Sequence, residues 1–466
     1  MDARHDGPAP RLGRRVRATT SAIDGTTMAE DETATTPGAR GVDRSAGWEL
    51  LVWTGTRALL LACVLGLVAF PGLDVTTDVS VIYREWAHTL GSGVFPPEDV
   101  TWQYPPAAAL PILAPGLLGF LDYATGFFVL ACAADAAVLL MLLRASRGGG
   151  RRAGVWVWVL GVPLLGPTAY ARYDLMVTAV AVAALLAAVR RPAVAGALAG
   201  FGAMLKVWPV LVLLGTPRGG RTRTAWGTAV AVAVALAAGF AVAMPGAFAF
   251  LTAQGERGTE VESLGALVFH VARFFGWEGR VELNYGSMEF LGPYVPLVST
   301  AALVLSAAAC GWLLLWRLRA VAWTPATHAD AAFTAVLLFT TTSRVLSPQY
   351  MIWLLGAAAV CAGFRTGRML LPAWLVVAAT AVTVLEFPLG FAYVVESDPA
   401  GVVLLAVRNG LLVAASVLAA RRLWRSTVTE PRRAARTEAD GPGAAEHAAE
   451  APAADRRAQV PSPTEP

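Results

Sequence analysis

Four stretches of this 466-residue chain gather side chains able to move protons or hold anions. The longest, Asp74 to Pro115, holds Asp74, Asp78, Tyr83, Arg84, Glu85, Trp86, His88, Glu98, Asp99, Trp102, Gln103 and Tyr104 around a Pro105-Pro106 pair. A second, AYARYDL, sets Arg172 two positions before Asp174; a third, GAMLKVWP, carries Lys206; a fourth, SRVLSPQY, joins Arg344 to Gln349 and Tyr350. A carboxylate can take a proton from a hydroxyl, and guanidinium or ammonium groups can hold a phosphate. Gln349 and Tyr350 offer hydrogen bonds to a polyhydroxylated ligand, and Tyr350 and Trp353 offer stacking faces.

Each candidate has a plainer reading. Lys206 is the one lysine among 37 Lys and Arg residues, and no acidic residue stands beside it in sequence. An ammonium inside an apolar run needs an anion or a watered cavity, unless it snorkels to the interface; contact with a phosphate is the preferred reading. Asp174 could cap the helix that follows it, whereas Arg172 calls for a phosphate or a sugar hydroxyl. Asp74, just after Pro71-Gly72, reads as a turn residue. Asp78 precedes Val81, Trp86 and Leu90 at helical spacing, so an N-cap and a functional carboxylate both stay open. Arg408 and Asn409 interrupt the last apolar run, and the arginine must face a cavity or hold a carboxylate such as Glu386. Glu260, Glu262, Ser263, His270, Arg273, Asn284 and Tyr285 could contact an acceptor or be solvated loop residues.

The elements that must position these groups span a membrane. The chain is 56% hydrophobic and 15% charged, a balance that indicates a polytopic membrane protein and not a soluble domain. Its net charge of +4 therefore gives no reason to expect a nucleic-acid partner, because the arginines sit in short segments between apolar runs. Cys63, Cys132, Cys310 and Cys361 all lie inside apolar runs and read as small hydrophobes; no metal is expected. Phosphate-loop, HExxH, GxSxG and DxD patterns are missing, which argues against a nucleotide-sugar donor.

Both ends, 1–46 and 426–466, are polar and read as disordered cytoplasmic tails around a membrane domain at 47–425. Runs ending on arginines fix the direction of crossing. Leu50–Phe70 goes out, Tyr123–Leu143 returns to Arg144, and Pro105–Leu121 must then be a short interfacial helix. Ala153–Tyr170, Leu175–Val189, Thr224–Met244, Leu291–Trp316, Met369–Phe387 and Gly401–Ala420 cross, while Ala331–Thr342 and Gln349–Phe364 form a shorter pair. Ala193–Leu214 starts and ends on arginine clusters, so it reads as a broken hairpin that rises to Lys206 and turns back. The fold class is all-α, a bundle of about 10–12 membrane passes with external loops near 71–122 and 245–290.

Taken in order, these pieces resemble glycosyltransferase family 87 of the GT-C superfamily. The residues that carry the resemblance are Asp78…Tyr83 with Gly93 and Tyr104-Pro105-Pro106, then Arg172-Tyr173-Asp174, AGALAGFGAMLKVWP, Glu262-Ser263-Leu264 and Ser347-Pro348-Gln349-Tyr350. The resemblance implies a GT-C-like fold and an inverting transfer from a polyprenyl-phosphate sugar. Asp78 would be the base, Lys206, Arg172 and Arg344 would hold the donor phosphate, and Tyr83, Tyr104, Asp174, Glu262, Ser263, Gln349 and Tyr350 would contact substrate. It further implies a hexosyltransferase, with mannose as the first choice of sugar, in the cytoplasmic membrane. Its active site would face outward, its acceptor would be an envelope glycan or glycolipid, and it would need no cofactor. The alternatives are an arabinofuranosyltransferase of the same fold, a lipid-linked sugar flippase, and a non-catalytic envelope-assembly protein.

Overall fold

A computed structural model describes residues 44–96, 99–253, 258–432 and 434. All of these but Arg44 belong to one compact unit, Ser45–Pro466. The expected tails lie mostly outside the described residues.

Helix α1 (Arg44–Val64) leads into a first loop that carries α2 (Arg84–Gly91) and α3 (Ala109–Leu113). Then come α4 (Tyr123–Arg147), α5 (Ala153–Gly161), α6 (Asp174–Ala188), α7 (Pro192–Leu205) and α8 (Gly220–Ala243). A second loop holds α9 (Phe250–Ala253), α10 (Ala266–Arg273) and three strands. The chain closes with α11 (Val295–Arg319), α12 (Pro325–Thr342), α13 (Tyr350–Gly363), α14 (Leu370–Val384), α15 (Phe391–Glu396) and α16 (Pro399–Trp424). Among the described residues, five helical runs, those containing α4, α8, α11, α14 and α16, are long and apolar enough to cross a membrane. Apolar helices of 10–17 residues, among them α6, α7 and α13, pack between them. The protein is an all-α, multi-pass membrane fold.

Capping and charge agree with the helix directions. Asp122 accepts from Thr125 N at the start of α4, and Asp398 accepts from Ala400 N at the start of α16. Arginines close α4, α11 and α16, where they meet the negative end of each helix dipole.

The arginine clusters share one end of the bundle. Arg152 pairs with Glu49, Arg151 N donates to Gly363 O, and Arg365 Nε donates to Gly149 O. Arg317 donates to the carbonyls of Leu214 and Thr216, and Arg422 donates to Arg368 O. At the other end, Leu73 N reaches Pro388 O, Phe95 N reaches Pro245 O, and Gln103 Nε2 donates to Tyr285 O at 2.8 Å.

The hairpin expected at Ala193–Leu214 is present. Gly196 faces Ala225 and Gly200 faces Ala229, so closely that a Cβ on either glycine would meet backbone. This register makes α7 and α8 parallel. The chain between them must therefore return to the end it left, and it does so from Lys206 along Trp208–Leu213. The segment expected as an interfacial helix, Pro105–Leu121, contains a short apolar helical run, Pro106–Leu117.

Two features differ from expectation. The second loop contains a small sheet of β1 (Thr259–Glu260), β2 (Arg280–Asn284) and β3 (Ser287–Leu291), ordered β1-β3-β2 and antiparallel. Tyr285 and Gly286 turn between β2 and β3, both with positive φ, as a two-residue hairpin requires. The last helical run also continues beyond 425, to Arg432. Its extension is held by Thr427, which accepts from Trp316 Nε1 and offers its carbonyl to Val321 N and Ala322 N.

A buried charge joins α1, α4 and α5. Asp135 in α4 accepts from Arg57 Nε at 2.8 Å, Trp53 Nε1 at 3.0 Å, Trp158 Nε1 at 2.7 Å and Tyr170 Oη at 3.1 Å. Arg57 also donates to the carbonyls of Val159 and Trp158. With every lone pair engaged, this network tolerates burial that would expel an unpaired charge.

Candidate active site

The candidate site hangs from one turn. After α5 the chain passes through a tight helical stretch, Val162–Ala169, broken at Gly166 just before Pro167, and reaches Arg172-Tyr173-Asp174. Arg172 points back to the first loop, where its Nη2 lies 2.8 Å from Asp78 Oδ2. Asp78 opens a π-type turn, Asp78–Tyr83, that runs into α2, and its side chain is 36% exposed. Asp74, by contrast, accepts from Thr76 N and Oγ1, which makes it the turn residue its position suggested.

Two residues along, Asp174 points inward. Its Oδ1 accepts from Lys206 Nζ at 2.8 Å and from Trp353 Nε1 at 2.5 Å, while Oδ2 has no hydrogen-bond partner among the described residues. Asp174 is thus a buried counter-ion and makes no cap bond. Lys206 sits where α7 ends and its backbone becomes extended, so the break in the hairpin delivers the ammonium. Four rings surround that ammonium: Tyr104 at 5.2 Å, Tyr173 at 5.0 Å, Tyr350 at 5.8 Å and Trp353 at 5.0 Å. Aromatic faces stabilise a desolvated cation, which accounts for a lysine at this depth.

Tyr173, between the two charges, joins the halves. Its ring meets Tyr83 edge-on at 6.1 Å and Tyr104 at 5.2 Å. Tyr83 is buried, stacks on Trp86, and has an unpartnered hydroxyl among the described residues. Trp86 in turn donates to Asp99 at 2.7 Å. Partial burial raises the Asp99 carboxyl, but hydrogen bonds from Thr101 and Trp86 outweigh it and hold the group below its usual range.

Other expected site residues serve a second group. Arg344 is half-buried; it donates to Ser299 Oγ at 3.3 Å and accepts from Glu260 N through its carbonyl. Glu260 accepts from Leu346 N and Ser347 Oγ. Glu262 is buried beside Arg408, which makes two hydrogen bonds to Glu386. Burial, with Glu386 and Glu260 close by, pushes the Glu262 carboxyl well above its ordinary range. Ser263 Oγ accepts from Ala266 N at the start of α10. These contacts fasten the second loop to 344–347 and α16. Gln349 is half-buried at the start of α13.

The structure thus brings together Asp78, Tyr83, Tyr104, Arg172, Asp174, Lys206 and Tyr350, and sets Arg344, Glu262 and Ser263 in the loop fastening. Sequence reasoning missed Tyr173 as the joining ring and Asp174 as the partner of Lys206. The available signal was an aromatic set between two opposite charges. Among the described residues, no three His, Cys, Asp or Glu side chains gather as metal ligands would.

No curated protein matches this sequence. Among solved structures the chain is similar to ArnT from Cupriavidus metallidurans bound to undecaprenyl phosphate, at 14% identity, with 84% of this chain and 80% of that chain covered and a TM-score of 0.42. The family model of Glycosyltransferase family 87 matches residues 102–348. That span is more than half of the chain and contains the Arg172–Asp174 turn, Lys206 and the Tyr104 ring. The protein belongs to glycosyltransferase family 87.

Proposed function

We propose that this glycosyltransferase moves a hexose, with mannose as the first candidate, from a polyprenyl-phosphate donor to an envelope glycan or glycolipid. The arginine end is assigned to the cytoplasm, with both termini there, which puts the Asp78 end outside. The observation that carries the reading is the pair of opposite charges hung from one turn: a half-exposed carboxylate on Arg172 and a ring-lined ammonium on Asp174.

The chemistry follows from that pairing. Arg172 holds and aims the Asp78 carboxylate, so it can take the acceptor hydroxyl proton as the oxygen attacks the anomeric carbon. The bond from that carbon to the phosphate oxygen breaks, and the phosphate leaves with the electron pair. Such a leaving group needs cations more than an acid. Arg172 and Lys206 are assigned to it; each spends only part of its donor set on its aspartate. Arg344 is assigned instead to holding the segment that delivers Tyr350. A lipid-borne donor suits cations held within a membrane bundle and a sequence without nucleotide-binding patterns.

The test uses membranes containing the full chain and labelled polyprenyl-phosphate sugars, screened against envelope acceptors. Wild type should transfer one hexose with inversion, and Asp78→Asn should lose about 100-fold or more in rate while remaining folded. Normal turnover by Asp78→Asn would remove it as the base. Transfer only from a pentose donor would replace hexose by arabinofuranose.

A further inference from the structure

The arginine end of the bundle contains a cavity of about 200 Å³ between α4, α5 and α13. Its floor is apolar, formed by Leu142, Val155 and Val360, while Ser146, Arg151 and Arg365 stand at its mouth. The mouth is preformed. Arg151 N donates to Gly363 O at 2.7 Å and Arg365 Nε donates to Gly149 O at 2.8 Å, which stitches one rim to the other. Arg151 and Arg365 are exposed, and no carboxylate pairs with either among the described residues.

We infer that this cavity binds one anionic phospholipid, with its phosphodiester on Arg151 and Arg365 and the start of an acyl chain on the apolar floor. Two observations favour a lipid over a free anion. A small aqueous anion has no use for a buried apolar floor, and the guanidinium groups lie at the end of membrane-crossing helices, where a headgroup sits. Neighbouring Arg144 and Arg147, on the last turn of α4, add positive potential at the same level. This site lies at the end opposite Asp78 and Lys206, and the inference does not depend on the transfer reaction.

The experiment is native mass spectrometry of the full chain released from nanodiscs of phosphatidylglycerol, phosphatidylcholine or an equal mixture, with inorganic phosphate added in a parallel arm. Wild type should retain one phosphatidylglycerol in preference to phosphatidylcholine. Arg151→Gln with Arg365→Gln should weaken that retention on the order of 30-fold. Arg190→Gln with Arg191→Gln, which removes equal charge at the same end outside the cavity, should not. Ser146→Leu narrows the mouth, leaves every arginine in place, and should also lose the lipid; it serves if the double variant does not fold. Unchanged retention by Ser146→Leu, equal loss in the Arg190/Arg191 variant, or displacement of the lipid by millimolar phosphate would each overturn the assignment.

Discussion

Lys206 Nζ lies 2.8 Å from Asp174 Oδ1, thirty-two residues away in sequence and across the break that ends α7. The pair turns an apparently solitary ammonium into half of a neutral unit. With Asp174 buried and Lys206 nearly so, removing one partner leaves an uncompensated charge. Asp174→Asn should therefore destabilise the protein by about 3 kcal/mol, read as a fall in thermal midpoint in detergent. Adding Lys206→Met should recover much of that loss. Additive losses would mean that the two side chains do not act as a unit.

Arg172 links Asp78 to the turn that carries Asp174. Arg172→Gln removes the guanidinium that pairs with the Asp78 carboxylate and one cation from the proposed phosphate site. Transfer should fall about 100-fold, with a raised KM for the lipid donor. Arg172→Lys should recover charge and not geometry, and so only part of the rate. An unchanged donor KM in Arg172→Gln would confine Arg172 to positioning Asp78.

The membrane pattern was legible because apolar runs and arginine clusters report directly on where the chain can cross. The hairpin at Lys206 followed from parity alone, and the Gly196 and Gly200 contacts bear it out. Glu386 as the partner of Arg408 was likewise deducible, since an arginine in an apolar run has few other options. The site was only partly readable. Arg172 and Lys206 drew attention as isolated cations, but sequence gives no distance, so their aspartates were weighed as a base and a cap. The sheet in the second loop was missed because its strands are two to five residues long and their exposed positions do not alternate cleanly. The Arg57–Asp135 pair went unremarked although both charges interrupt apolar runs, the same signal that singled out Arg408.

That pair yields a stability prediction far from the site. Asp135 collects donors from Arg57, Trp53, Trp158 and Tyr170, so Asp135→Asn leaves Arg57 buried without its counter-charge. A loss of about 3–5 kcal/mol is expected, visible as reduced yield of folded protein and a lower thermal midpoint. Arg57→Met paired with Asp135→Leu, which removes both charges, should cost less than Asp135→Asn alone. If the single change is harmless, the network does not organise α1 against α4 and α5.

The second loop should respond to acid through His270. Its ring is buried, with Nε2 2.8 Å from Val261 O and Nδ1 2.8 Å from Ser397 Oγ, and Arg273 also donates to Ser397. Burial lowers the His270 pKa below its ordinary 6.5; the bond to Val261 O opposes this, and the Arg273 charge adds to it. The folded loop thus keeps the ring neutral, with Nε2–H donating to Val261 O and Ser397 Oγ–H donating to Nδ1. An unfolded loop takes up a proton near pH 6.5, so its stabilisation is fully present above that value and is lost as pH falls through the lower folded pKa. Hydrogen exchange of residues 261–273 should be slow at pH 7.5, after correction for the intrinsic rate, and should accelerate at pH 5. His270→Gln should weaken the loop at both values and remove the difference between them. If wild type and His270→Gln lose protection in parallel on acidification, the pH dependence comes from another group.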